Sequence, residues 1–230
     1  MMLPVSTPPL PAVSTTKGDA TVRFVHDDAR QWYVFKSTYG REEKAADILI
    51  SAGIYAYVAK RYERIGVGEQ DGTPHLILKS FIPNVFFAYL TRAEAALFMG
   101  DSRPTPSPAP SQMPSAVESL ATAKAYADFF YVRPDKSAGG RPLPLTVSEQ
   151  TMHSFILTTA TFDERIYLLG EGTFRIQDDA DMLVTDGKFR GVIGKKIRAY
   201  SQQRILIELK GLASVGTPYI PSSCLQKIAS

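Results

Sequence analysis

A single cysteine, Cys224, stands in a chain of 230 residues. One thiol cannot close an internal disulfide or furnish a four-cysteine zinc site, so a secreted scaffold stapled by bridges is excluded. Histidine is scarce too. His26, His75 and His153 are scattered, and none falls in metal-ligand spacing with Cys224 or an acidic pair. No run approaches the roughly 20 apolar residues needed to cross a bilayer. Met1 to Lys17 carries prolines at 4, 8, 9 and 11 and has neither a charged start nor an apolar centre, which is not the pattern of a secretory leader. The expectation is a cytoplasmic protein that does not touch the membrane.

Phosphate-binding and calcium signatures are also missing. Gly66-x-Gly68 lacks a third glycine and the Lys-Ser/Thr pair, and Asp178-Asp179-x-Asp181 lacks the later Gly and Glu of a calcium loop. Cys224, near a chain end, reads as a small hydrophobe rather than a nucleophile. With no catalytic constellation, the chain is expected not to be an enzyme and to need neither metal nor cofactor.

Charge of either sign is not in large excess. The net charge is +3, from 26 Lys and Arg against 23 Asp and Glu, too little to coat nucleic acid by bulk electrostatics. The excess is local: residues 176–230 hold 8 basic and 5 acidic side chains, and the remainder is balanced. Hydrophobic content of 44% is enough for a core, and the length suits one large domain or two modest ones.

The first 28 residues are rich in Pro, Ser and Thr and read as a disordered tail. Gln31 to Lys36 is dense in aromatic and β-branched residues and reads as a strand. Ala45, Ile48, Leu49 and Ala52 then fall on one helical stripe, with Arg41, Glu42, Glu43, Lys44 and Asp47 facing elsewhere. Gly53 stands where a left-handed C-cap belongs. Ile54 to Tyr62 reads as a second strand, Gly66 to Thr73 as a hairpin tip, and His75 to Leu90 as a third strand broken at Pro83-Asn84. Thr91 and Glu94 have capping-box spacing for a short helix through Met99. The Pro-rich stretch Pro104 to Ser115 lies in a low-complexity insertion, 101–118, with structure resuming near Ala125. Phe129 to Val132 reads as a fourth strand, and Ser148 as the N-cap of a helix through Leu157. Residues 166–177 read as a connector. From Met182 onward, short strands at Met182–Thr185, Val192–Ala199, Arg204–Leu209 and Val215–Ile220 are separated by glycine turns, the pattern of a small barrel.

Two stretches resemble one family. Val184-Thr185-Asp186-Gly187-Lys188-Phe189-Arg190-Gly191-Val192-Ile193-Gly194-Lys195-Lys196-Ile197 resembles a KOW motif. Gln31-Trp32-Tyr33-Val34, the Glu43–Leu49 helix and Lys79-Ser80-Phe81-Ile82-Pro83-Asn84-Val85-Phe86-Phe87 resemble the N-terminal domain of NusG transcription factors. Both occur in the family's order, and the likeness covers about Gln31 to Ile228. It departs at Asn84 and Ala180, where the family commonly has Gly, and in the Pro-rich insertion. Gln150-Thr151-Met152-x-x-Phe155-Ile156 looks more like the UpxY-type paralogues, which regulate long operons such as capsular polysaccharide clusters.

The resemblance implies an α+β fold: a NusG-type α/β sandwich, an antiparallel sheet flanked by helices, over 29–165, and an SH3-like KOW β-barrel over 178–230. It implies a monomeric elongation or antitermination factor that seats on the clamp helices of the largest RNA polymerase subunit and suppresses pausing or termination. Trp32, Tyr33, Phe81, Ile82, Pro83 and Val85 occupy the matching positions, though period two in a strand puts about half of such residues in the core. Lys36, Arg41 and Lys44 match a neighbourhood that in specialised paralogues faces non-template DNA; a solvated helix face is the plainer reading. Nascent RNA is a further candidate partner. Lys188, Phe189, Arg190 and Lys195 mark a KOW partner site, for the termination factor Rho or a small-subunit ribosomal protein in relatives. Phe189 reads equally as a docking contact or a barrel cap. The rival reading is a KOW-type RNA- or ribosome-binding protein acting in translation.

Overall fold

A computed structural model describes residues 26–67, 74–99, 113–132, 142–170 and 172–228. Most of the N-terminal tail, the hairpin tip at 68–73 and residues 101–112 of the insertion lie outside them.

The strand read at Gln31–Lys36 is β1 (Arg30–Ser37), the centre of an antiparallel sheet. It pairs on one side with β5 (Val85–Thr91), and on the other with β6 (Ala127–Phe129) and β9 (Thr146–Val147); β2 (Ala56–Tyr57) pairs with the far side of β5. The register sets Trp32 opposite Tyr89 and Phe35 opposite Phe86. Alternation therefore sends Tyr33, Phe35, Phe86, Ala88 and Leu90 to one face and Trp32, Val34, Phe87 and Tyr89 to the other. Both faces are buried, which is why β5 is apolar throughout instead of alternating with polar residues.

The first face is covered by α1 (Glu42–Ser51), α2 (Arg92–Met99) and α3 (Met113–Lys124), through Ala45, Leu49, Phe98, Leu120 and Ala123. Helix α3 corrects the sequence reading, because residues 113–118 of the insertion are its opening turns. Leu120 and Ala123, three apart, give it a buried stripe, but the prolines before it hide the period. The helix caps behave as their chemistry requires. Gly53 takes φ +78° after α1. At α2, Thr91 N–H donates to the Glu94 carboxylate at 2.8 Å and Glu94 N–H donates to Thr91 Oγ1 at 3.1 Å. Thr91→Ala should lower stability by about 1 kcal/mol in denaturant unfolding; an unchanged midpoint would show that the box does not hold in solution.

Helix α4 (Glu149–Thr159) covers the second face with Met152, Phe155 and Ile156, and Thr151 N–H donates to its N-cap Ser148. The expected strand 54–62 is split into β2 and β3 (Lys60–Val67), and β3 forms a hairpin with β4 (Pro74–Ser80). Strands β7 (Tyr131–Val132) and β8 (Leu143–Pro144) make a small ribbon.

The C-terminal strands form a second antiparallel sheet of six strands. They are β10 (Tyr167–Leu169), β11 (Phe174–Val184), β12 (Ile193–Ala199), β13 (Gln202–Leu209), β14 (Ala213–Gly216) and β15 (Leu225–Lys227). The spatial order is β10-β14-β13-β12-β11-β15, and among the described residues the end strands do not pair, so the expected closed barrel is an open sheet. The expected connector 166–177 holds β10 and the start of β11, because Tyr167–Leu169 pairs with Gly216–Ser214. Val184, Val192, Ile205, Ile207, Leu209 and Val215 pack in one continuous cluster with Phe155, Phe87 and Trp32. The two halves therefore share a core through α4.

Candidate functional site

The break at Pro83-Asn84 is a turn between β4 and β5, and Asn84 explains why a non-glycine is tolerated there. It takes φ +61°, and its side-chain oxygen accepts the Gly40 N–H at 2.8 Å. Asparagine is one of the few side chains that visits this region at modest cost, because it can bond locally. Ser37 N–H donates to the Asn84 carbonyl, which fastens the turn to the end of β1.

Beneath it lies Glu42, expected on the solvent side of α1 but found buried at 5% exposure. Its carboxylate accepts from Ser37 Oγ at 3.0 Å, from Ser80 Oγ, and from Asn84 N–H at 3.3 Å. Burial pushes its pKa up, but these hydrogen bonds outweigh it and the net direction is down. No pattern in the sequence announces this residue, since its donors come from two separate stretches, Ser37 and the Ser80–Asn84 turn.

The docking residues implied by the resemblance divide sharply. Trp32, Tyr33, Phe81 and Val85 are buried, so they are core side chains in this conformation and not free anchors. Trp32 packs against Tyr55 and Tyr89 at ring separations of 5.3 and 5.2 Å. The physical reason is that both faces of the sheet are covered. Ile82 is half-buried and Pro83 exposed, so the tip of the turn is what reaches solvent.

Beside that turn, Lys36, Arg41 and Lys44 are all exposed. Arg41 and Lys44 stand over the Tyr126 ring at 5.8 and 4.5 Å, and Lys124 joins Lys36 and Tyr126 around a shallow hollow. Tyr39 is 92% exposed with φ +54°, next to the Gly40 that Asn84 holds. Sequence reading missed Tyr39, Lys124 and Tyr126, the last two because α3 was hidden.

At the C-terminal turn, Lys188 and Arg190 are exposed while Phe189 is buried in the shared core. Phe189 caps the sheet and is not an exposed docking ring, because Gly187 at φ +81° and Gly191 at φ +91° fold the turn back over the core. Lys195 is half-buried and pairs with Asp181 at 3.2 Å and with the Asp179 carbonyl. Lys188 reaches Asp163, whose carboxyl is held well below the ordinary range, chiefly by Arg165. The seam between the halves is polar as well as apolar: Ile193 N–H donates to Ser154 Oγ at 3.0 Å, and the Leu157 side chain closes on Gly191.

Among the described residues, no group of His, Cys, Asp or Glu could hold a metal, and no helix is long and apolar enough to cross a membrane. No protein-family model matches the sequence, and no curated protein matches it. Among solved structures, the chain is similar to one from work on domain interaction in the NusG of Thermotoga maritima, at 15% identity, with 87% of this chain and 98% of that chain covered and a TM-score of 0.34.

Proposed function

We propose that this protein is a non-enzymatic transcription elongation or antitermination factor that binds RNA polymerase through the β4–β5 turn and suppresses pausing or termination, at a specialised operon such as one for polysaccharide synthesis. The reading starts from the sequence resemblance to NusG-type factors. The observation that carries it further is the turn itself: Pro83 stands exposed beside the half-buried Ile82, on a support fixed by Glu42 and Asn84. A rigid apolar tip is what an interface anchor needs, because little conformational freedom is lost when it docks. The basic and aromatic surface of Lys36, Arg41, Lys44 and Tyr126 adjoins β1 and suits an unpaired nucleic-acid strand. Lys188 and Arg190 would present the C-terminal turn to a second partner, Rho or a small-subunit ribosomal protein.

Docking through Trp32, Phe81 or Val85 as well would require α4 and the C-terminal sheet to leave the core they share. The exposed tip makes no such demand. Purified RNA polymerase should be retained by the full chain, and an Ile82→Ala/Pro83→Ala variant should retain it about tenfold less well, as for loss of a central anchor. A folded wild-type chain that binds no polymerase would sink this reading; binding structured RNA in its absence would favour a role in translation.

A further inference from the structure

The tip of the β12–β13 hairpin carries features that the polymerase reading does not use. Tyr200 and Ser201 form its turn, both in the left-handed region at φ +51° and +61°. A tyrosine there is strained, since its Cβ crowds the backbone, and glycine or asparagine would serve the turn better. Its ring is nevertheless 62% exposed. It lies 5.9 Å from the half-exposed ring of Tyr167 on β10. Backbone strain at an exposed aromatic is a reason to look for a ligand.

Behind the two rings sits Arg204, at 5% exposure. Its guanidinium carbon stands 5.2 Å from the Tyr167 ring centre and 6.0 Å from that of Tyr200. It donates to the carbonyls of Thr217 at 2.7 Å and Arg165 at 3.3 Å, and to the Gln202 side chain at 3.0 Å. Its Nε finds no acceptor, and no carboxylate among the described residues pairs with it. A buried charge without a counter-charge is costly and leaves a positive potential behind the rings. On the opposite face of the same sheet, Arg175 and Arg198 are directly opposed across β11 and β12. Like charges in that position repel. Both are exposed and neither has an ion-pair partner among the described residues.

We infer that this hairpin tip is a binding surface for single-stranded RNA, with a base stacked on the exposed Tyr200 ring, its edge against the Tyr167 ring tilted 59° beside it, and the backbone phosphates carried over the tip to Arg175 and Arg198. Each oddity then has one cause. The strained ring supplies a stacking face, the buried guanidinium enriches the cationic side of that platform, and the opposed arginines find a shared anion. Ser201 and the two phenols supply neutral donors and acceptors for a ribose 2′-hydroxyl, which DNA lacks. An acidic peptide would satisfy the arginines but gives no reason for a ring held in strain at the tip.

The test is fluorescence anisotropy of the full chain with a labelled single-stranded RNA of roughly 12 nucleotides, across a salt series and without polymerase. Tyr200→Gly removes the ring and suits the left-handed turn, so the variant should keep or raise its melting temperature while binding weakens by roughly tenfold or more. Arg175→Ala/Arg198→Ala should flatten the slope of log affinity against log salt by about 1.4, for two phosphates on a single strand. Unchanged affinity in Tyr200→Gly overturns the proposal, as does an unchanged salt slope in the arginine variant. Equal binding of the matching DNA, or preference for a polyglutamate peptide, overturns the assignment to RNA. Because no polymerase is present, failure here leaves the polymerase reading where it stands.

Discussion

Gly194→Ala should lower the melting temperature by roughly 6–12 °C, corresponding to about 3 kcal/mol of lost stability. A Cβ on Gly194 would stand 2.2 Å from the Leu206 carbonyl oxygen and 2.8 Å from Ile205 Cγ2. A flexible side chain could yield; the carbonyl belongs to β13, which is paired to β12 by register from Lys195 opposite Leu206 to Ala199 opposite Gln202. Relief therefore requires the two strands to part. Gly194 does not have positive φ, so the demand is for space and not for left-handed backbone.

The loss should not stay within the C-terminal sheet. Ile205 and Ile207 of β13 pack in the same cluster as Phe155 of α4 and Phe87 of β5. Prising β13 away opens the face that α4 rests on, and with it one side of the N-terminal sheet. Circular dichroism in the far ultraviolet, which follows helices, and fluorescence of Trp32, which sits in the N-terminal sheet, should therefore fall together at the lower temperature. A variant that melts within about 2 °C of the wild type would show that the strands are not packed this closely. Two separated transitions would show instead that the halves do not share a core.

Sequence patterns located most of these elements because the elements are locally encoded. The capping box at Thr91 and Glu94, the stop at Gly53 and the N-cap at Ser148 each depend on residues within one turn of each other. The break at Pro83-Asn84 follows from proline chemistry alone. What escaped was either masked locally or non-local. Helix α3 was screened by its prolines, and the strand character of Tyr167–Leu169 exists only because Gly216, Val215 and Ser214 lie alongside.

The candidate site was legible in part for the same reason. Period two says that half of Trp32, Tyr33, Phe81 and Val85 should be buried, but it cannot reveal that a helix and a second sheet cover the remaining face. Basic residues at Lys36, Arg41 and Lys44 could be read as exposed, whereas the Tyr126 ring beneath two of them comes from across the fold. Arg204 was indistinguishable from any other strand residue. Its burial depends on β10 folding back, which places the Arg165 carbonyl and the Tyr167 ring over it.

Glu42 makes the sharpest case of a non-local residue, and its replacement should separate hydrogen bonding from charge. In Glu42→Ala the hydroxyls of Ser37 and Ser80 and the N–H of Asn84 lose their shared acceptor. Orphaned donors beside a new cavity should cost about 3 kcal/mol or more. Glu42→Gln keeps a carbonyl oxygen for Ser80 and Asn84, and its amide can donate to Ser37 Oγ, so its loss at neutral pH should be nearer 1 kcal/mol. The two variants also differ from the wild type in acid. The folded-state pKa of Glu42 lies below its ordinary value of 4.5, so the charge contributes fully above that value and its contribution is lost as pH falls through the lower folded one. Wild-type stability should thus fall with acid more steeply than that of Glu42→Gln, and the two curves should converge at low pH. Parallel curves would mean that the carboxylate gains nothing from its three donors. Amide exchange at Asn84 and Gly40 should quicken in Glu42→Ala, because the same carboxylate holds the support under Ile82 and Pro83. If those amides stay protected while global stability drops, the turn is held by Asn84 alone, and Glu42 serves the core without shaping the docking tip.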